Sequence, residues 1–167
     1  MTSEVRLRAV RDDDLPAFFA HEQDPQANWM AAFGPKDPAD RAAFDAHWAR
    51  IRADPGIHPR TVTVGGEVVG RVVAFPVGKR TEVSYWIDPG RWGRGHATAA
   101  LAALLRELPQ RPVQARAAKD NAASLAVLRK CGFVVVGEDS GYAESRRAEV
   151  EEYVLELPAW SVAQASD

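Results

Sequence analysis

Residues 5–10 alternate apolar and polar side chains, and that period of two predicts a first strand. Asp12, Asp13 and Asp14 then offer helix caps ahead of Leu15-Pro16-Ala17-Phe18-Phe19. Asp37-Pro38 predicts a second helix start, with proline suited to the first helical position. Phe44, Trp48 and Ile51 recur at helical spacing and give that helix an apolar stripe, and Asp54-Pro55-Gly56 ends it. Residues 61–64 and 67–69 flank Gly65-Gly66 and predict a strand, a tight turn and a strand, the second running on to Phe75. A further strand covers residues 81–87 and stops at Asp88-Pro89-Gly90. Residues 95–107, rich in alanine and leucine, predict a helix, and residues 113–117 a short strand. Residues 122–130 predict another helix, closed by Gly132, and residues 133–136 and 151–157 the last strands. Mixed strands and helices with a central antiparallel hairpin argue for an α/β or α+β sheet with helices on its faces. Residues 1–160 are expected to form one domain, with residues 161–167 a loose tail.

Composition narrows the function classes. Apolar residues make up 46% of the 167 residues and charged residues 26%, values of a globular chain rather than a disordered one. The formal net charge is -2 with no basic block, so nucleic acid is not the expected partner. A single cysteine, Cys131, rules out an internal disulfide, and a reducing cytoplasm is the expected compartment. Residues 1–8 are charged and lack an apolar signal core, and no apolar run approaches the roughly 18 residues of a membrane span, so no membrane partner is expected. Four scattered histidines and the one cysteine give no metal-ligand spacing, so no metal is expected.

The chemically informative stretch runs Tyr85-Trp86-Ile87-Asp88-Pro89-Gly90-Arg91-Trp92-Gly93-Arg94-Gly95-His96-Ala97-Thr98. A strand leads into a glycine-bearing turn that opens a helix. The first amides of a helix lack internal partners and the helix dipole adds positive potential there, so a pyrophosphate suits that end. Gly93 and Gly95 let the backbone approach the anion, Ala97 is small enough to do the same, and Arg91 and Arg94 could add side-chain charge. Each charge-assisted bond contributes roughly 1.5–3 kcal/mol net. On this segment alone a plain tight turn before a helix is an equal reading. A nucleoside-triphosphate loop is disfavoured by the absence of Gly-Lys-Ser/Thr, and a dinucleotide fold by the missing third glycine.

The segment from Trp92 to Leu101 resembles the acetyl-CoA pyrophosphate loop of the GNAT superfamily of N-acetyltransferases, in particular the ribosomal-protein N-terminal (RimJ/RimL-like) branch. Gly95 and Ala97 match the fourth and sixth places of its Gln/Arg-x-x-Gly-x-Gly/Ala pattern, while Trp92 stands where Gln or Arg is usual. Asn121-Ala122-Ala123-Ser124, continuing to Lys130-Cys131-Gly132-Phe133, resembles a second family segment. Glu82-Val83-Ser84-Tyr85-Trp86-Ile87 resembles a third, and Arg6-Leu7-Arg8 through Asp14-Leu15 also fits the branch. The resemblance implies a mixed, mostly antiparallel central sheet of six to seven strands with helices on both faces. It implies acetyl-CoA as cosubstrate and transfer of its acetyl group to a primary amine, on a small molecule or a protein N-terminus, by direct attack in a ternary complex. It implies that Arg94, Gly95, His96, Ala97 and Thr98 hold the pyrophosphate, that amides near Trp86 and Ile87 face the thioester, that Asn121 bonds the pantetheine arm and that Lys130 meets CoA phosphates. Family members are often dimers, which makes a homodimer the assembly to test.

Acetyl transfer requires a neutral amine. At pH 7, deprotonating a lysine amine (pKa about 10.4) costs about 4.6 kcal/mol, and an α-amine (about 8) about 1.4 kcal/mol. Glu82 is the candidate base; it shares a strand face with Ser84 and Trp86, and the alternative is a paired carboxylate at a strand start. The tyrosine that many family members place seven residues after the asparagine is here Leu128. The resemblance to the ribosomal-protein branch implies Ser124 as proton donor to the leaving thiolate; the alternative is a first-turn hydroxyl of its helix. The alternative for Asn121 is a helix cap, and for Lys130 plain surface charge. Trp29, Met30 and Phe33 are read as lying between the first two helices, as acceptor wall or core. The competing function is a non-catalytic acyl-CoA-binding sensor or scaffold, which the absent tyrosine supports.

Overall fold

The computed structural model describes residues 4–159. Seven strands form one sheet in the order β1-β2-β3-β4-β5-β7-β6. The strands are β1 (Val5–Arg8), β2 (His58–Val64), β3 (Glu67–Val77), β4 (Arg80–Ile87), β5 (Val113–Ala118), β6 (Val134–Ala143) and β7 (Ala148–Leu157). Five helices join them: α1 (Leu15–His21), α2 (Pro25–Ala31), α3 (Arg41–Ala53), α4 (His96–Glu107) and α5 (Ala122–Lys130). The fold is α+β, and every strand pairing is antiparallel except β4 with β5.

The two sheet faces carry separate cores. One packs α4 and α5 on the sheet through Leu101, Leu104, Leu125 and Leu128, against Val69, Val72, Val113 and Leu155. The other packs Phe18 of α1 and Phe44, Trp48 and Ile51 of α3 on Val73 of β3. The helical spacing of Phe44, Trp48 and Ile51 therefore marks a buried stripe, as expected of an amphipathic surface helix. Among the described residues, no helix is long and apolar enough to cross a membrane.

Several elements differ from expectation. Pro38 does not open a helix: Asp37 accepts a hydrogen bond from Ala39 N (3.0 Å) in a local turn, and Asp40 is the cap, accepting from Ala43 N (2.9 Å), so α3 begins at Arg41. Helix α2 was not anticipated. Asp24 caps it by accepting from Ala27 N, Pro25 occupies its first turn, and Trp29 and Met30 lie in it rather than in a connection. The final hairpin is longer than expected at both strands, and Phe133 precedes β6, fully buried beside the end of α5. Strand β1 stops at Arg8, short of Val10. The tail at 161–167 lies outside the described residues.

One irregularity matters for function. Strand β4 meets β5 only at Thr81↔Val113 and Glu82↔Gln114. Beyond those positions the two strands diverge, so the β5-facing edge of β4 from Val83 onward has no strand partner. Backbone polar groups left unpaired inside a sheet need other partners.

Candidate active site

Helix α4 begins at His96 with Gly95 as cap, and no side chain satisfies its first turn. Gly93 and Gly95 adopt left-handed φ values of 80° and 79°, conformations that favour glycine. A Cβ at either would meet nothing within 4 Å, so both face open space. Ala99 N makes the first intrahelical bond, to Gly95 O (3.1 Å); the amides of residues 93–98 have no acceptor among the described residues. This is a cradle of free donors at a positive helix end.

The cradle opens into a cavity of about 480 Å³. The cavity continues past Trp86 and Ile87 to Asn121, Ser124 and Lys130, so it brings together every sequence-selected cofactor residue except Arg94. Arg94 is exposed and is not part of the wall; Arg91 is, paired with Glu67. Asn121 is doubly engaged: its Oδ1 accepts from Ser124 N (3.1 Å), and its Nδ2 donates to Met30 O (3.1 Å). Burial, reinforced by Arg94 and Arg91, lowers the His96 pKa, so its ring is neutral at pH 7.

A second cavity, of about 1120 Å³, lies on the α1–α3 side of the sheet. Glu82 lines this cavity and not the one that opens from the cradle. Its Oε1 is 3.5 Å from Arg116 Nε, and Arg116 also bonds Asp139 and Glu152 (2.8 Å each). The two cavities share residues 83–86 of β4 and residues 116–118 of β5, and so adjoin where β4 and β5 part.

The chain matches the acetyltransferase (GNAT) domain over residues 4–134, most of its length. It belongs to the GNAT acetyltransferase family. Membership makes this GNAT protein an acetyl-CoA-dependent acyltransferase. No curated protein matches it in sequence. Solved structures of similar fold include Mycobacterium smegmatis RimJ in complex with CoA-disulfide, at 24% identity and TM-score 0.78, covering 98% of this chain and 90% of that one. Ribosomal-protein-alanine N-acetyltransferase from Brucella melitensis shares 22% identity with TM-score 0.78, covering 92% and 99%. Spermidine N-acetyltransferase from Vibrio cholerae, in complex with CoA and spermine, shares 16% identity with TM-score 0.76, covering 92% and 96%. At these identities the likeness is one of fold.

The residues of this GNAT domain fit CoA on its own geometry: free amides for a diphosphate, then an elongated cavity leading to an unpaired strand edge. Sequence reasoning missed two residues of the site. Tyr85 stands three residues after Glu82 on β4, so strand parity alone places it on the opposite face from Glu82, toward α5. Arg116 carries no local signal, because its carboxylate partners come from β4, β6 and β7.

Proposed function

We propose that this protein transfers the acetyl group of acetyl-CoA to a primary amine, on a small molecule or a protein N-terminus, by direct attack in a ternary complex. The observation that carries this reading is the junction of the two cavities at the β4–β5 gap, where a donor on one side of the sheet and an acceptor on the other can meet. Acetyl-CoA supplies an activated acetyl thioester with a tolerable leaving thiolate. The amides at the start of α4 hold its diphosphate, and the free edge of β4 aligns the arm that follows. Glu82, in the acceptor cavity, takes the proton that the attacking amine must lose. Ser124, in the donor cavity, presents its hydroxyl hydrogen to the departing sulfur.

The acceptor cavity supports a cationic amine. Asp37, Asp40 and Glu144 lie in its wall together, although their sequence positions are dispersed, and Glu82 and Glu152 share Arg116 inside it. A thiol-release assay with spermidine, an alanine-terminated peptide and an aminoglycoside tests the reading, with initial-rate lines expected to intersect. Glu82→Gln should lower kcat/KM at pH 7 by about 10²-fold, and the deficit should shrink as rising pH deprotonates the amine unaided. Tight CoA binding with no turnover across the panel, or parallel initial-rate lines, would overturn it.

A further inference from the structure

Tyr85 projects from β4 across the parting of the strands, and its Oη lies 2.7 Å from Ser124 Oγ on α5. Both residues line the donor cavity, and Leu128, one turn after Ser124 on the same helix, lines it as well. The position from which a family tyrosine would act is thus apolar, while a tyrosine from another element reaches the hydroxyl beside it.

The pair has two hydroxyl hydrogens and one bond between them, so one hydrogen remains free. A phenol is the more acidic partner and the better donor, and a serine oxygen the better acceptor, because phenolic lone pairs are drawn into the ring. Burial raises the Tyr85 pKa above its ordinary value, the Ser124 hydrogen bond opposing, so the phenol keeps its proton at pH 7 and remains able to donate. The Ser124 amide is occupied by Asn121, which fixes the first turn of α5 and with it the serine backbone.

We propose that Tyr85 is a positioning residue for acyl transfer: by donating its phenolic hydrogen to Ser124 Oγ, it directs the serine's own hydrogen into the donor cavity, toward the place of the leaving sulfur. The inference rests on the role given above to Ser124. The transfer balances without further reagents. The amine lone pair forms the C–N bond, the C–S electron pair stays on sulfur, and the amine's surplus proton passes to Glu82. The Ser124 hydrogen bond stabilises the thiolate until solvent protonates it. A randomly oriented hydroxyl offers the same bond only part of the time.

The test compares single-turnover acetyl transfer to the fastest-reacting amine of the panel in wild type, Tyr85→Phe, Ser124→Ala and the double variant. Calorimetric acetyl-CoA affinity and Tm are measured alongside. Tyr85→Phe should slow the transfer about three- to tenfold with affinity unchanged, and the double variant should be no slower than Ser124→Ala. If Ser124→Ala transfers at the wild-type rate, the Ser124 role itself fails. If Ser124→Ala is slow while Tyr85→Phe is not, Ser124 stands and Tyr85 has no positioning role. Losses that multiply in the double variant, or a Tyr85→Phe loss that appears only as weaker acetyl-CoA binding and lower Tm, also overturn the proposal.

Discussion

Asp14 offers a quantitative test of what holds the acceptor side of the molecule in place. It is 1% exposed and stands at the start of α1. Its carboxylate accepts from Arg8 Nη1 and Nη2 (2.7 and 2.8 Å), Arg11 N (2.8 Å) and Thr61 Oγ1 (2.7 Å). These bonds tie the entry of α1 to β1 and β2. Burial alone would raise the Asp14 pKa, but the bonds from Arg8, Thr61 and Arg11 together outweigh it and hold the value at about 2, against an ordinary 3.8. The folded-state pKa is lowered, so the contribution is fully present above pH 4 and is lost as pH falls toward 2. The difference of 1.8 units, 3.8 minus 2, corresponds to about 2 kcal/mol at about 1.36 kcal/mol per unit, with roughly half gone at pH 3. Asp14→Asn should therefore destabilise by about 2 kcal/mol at pH 7, a Tm loss of roughly 4–8 °C. Urea unfolding of both proteins at pH 7, 4 and 3 measures it. The gap between them should persist at pH 4 and narrow at pH 3. A gap below about 0.5 kcal/mol at pH 7, or one that widens in acid, would refute the reasoning.

Two substitutions probe the donor side. In Gly95→Ala the new Cβ meets no chain atom but sits at a φ of 79°, so stability should fall by only about 1–2 kcal/mol. Calorimetric CoA affinity should nevertheless fall tenfold or more, and unchanged affinity would remove the cradle from the site. Gly70→Ala places a Cβ 2.3 Å from the Trp86 carbonyl oxygen and 3.0 Å from Ile87 Cα, so the β3–β4 backbone must shift. It should cost about 1–3 kcal/mol and weaken acetyl-CoA binding, because Trp86 and Ile87 line the donor cavity; an unchanged Tm would contradict the close packing described.

The donor half of the site is legible in the sequence because its determinants are local. A strand, a turn with left-handed glycines and a helix follow one another within residues 80–107, and the helix expected over residues 122–130 and closed by Gly132 is α5. The acceptor half is not local. Arg116 gathers carboxylates from three strands, and Asp37 joins Glu144 through the fold alone. Helix α2 carries the same aspartate–proline signal as Asp37-Pro38, but it has only seven residues, too short for an apolar period to show. The last hairpin was underestimated because Val134, Val135 and Val136 are all at least two-fifths exposed and the following residues are mostly polar, so no inside–outside alternation marks it.

Helix α2 also has a mechanical meaning. Although it belongs to the first fifth of the chain, it is fastened to the last third: Arg146 Nε donates to Trp29 O (2.8 Å), Ser145 Oγ to Ala32 O (3.2 Å), and Asn121 Nδ2 to Met30 O. The segment is thus a strap thrown over a seam, since β1–β4 and β5–β7–β6 pair strand to strand at only two positions and are otherwise joined through the core beneath α4 and α5. The core beneath α4 and α5 keeps the half-sheets joined, so cutting the strap should loosen only the gap where the two cavities adjoin.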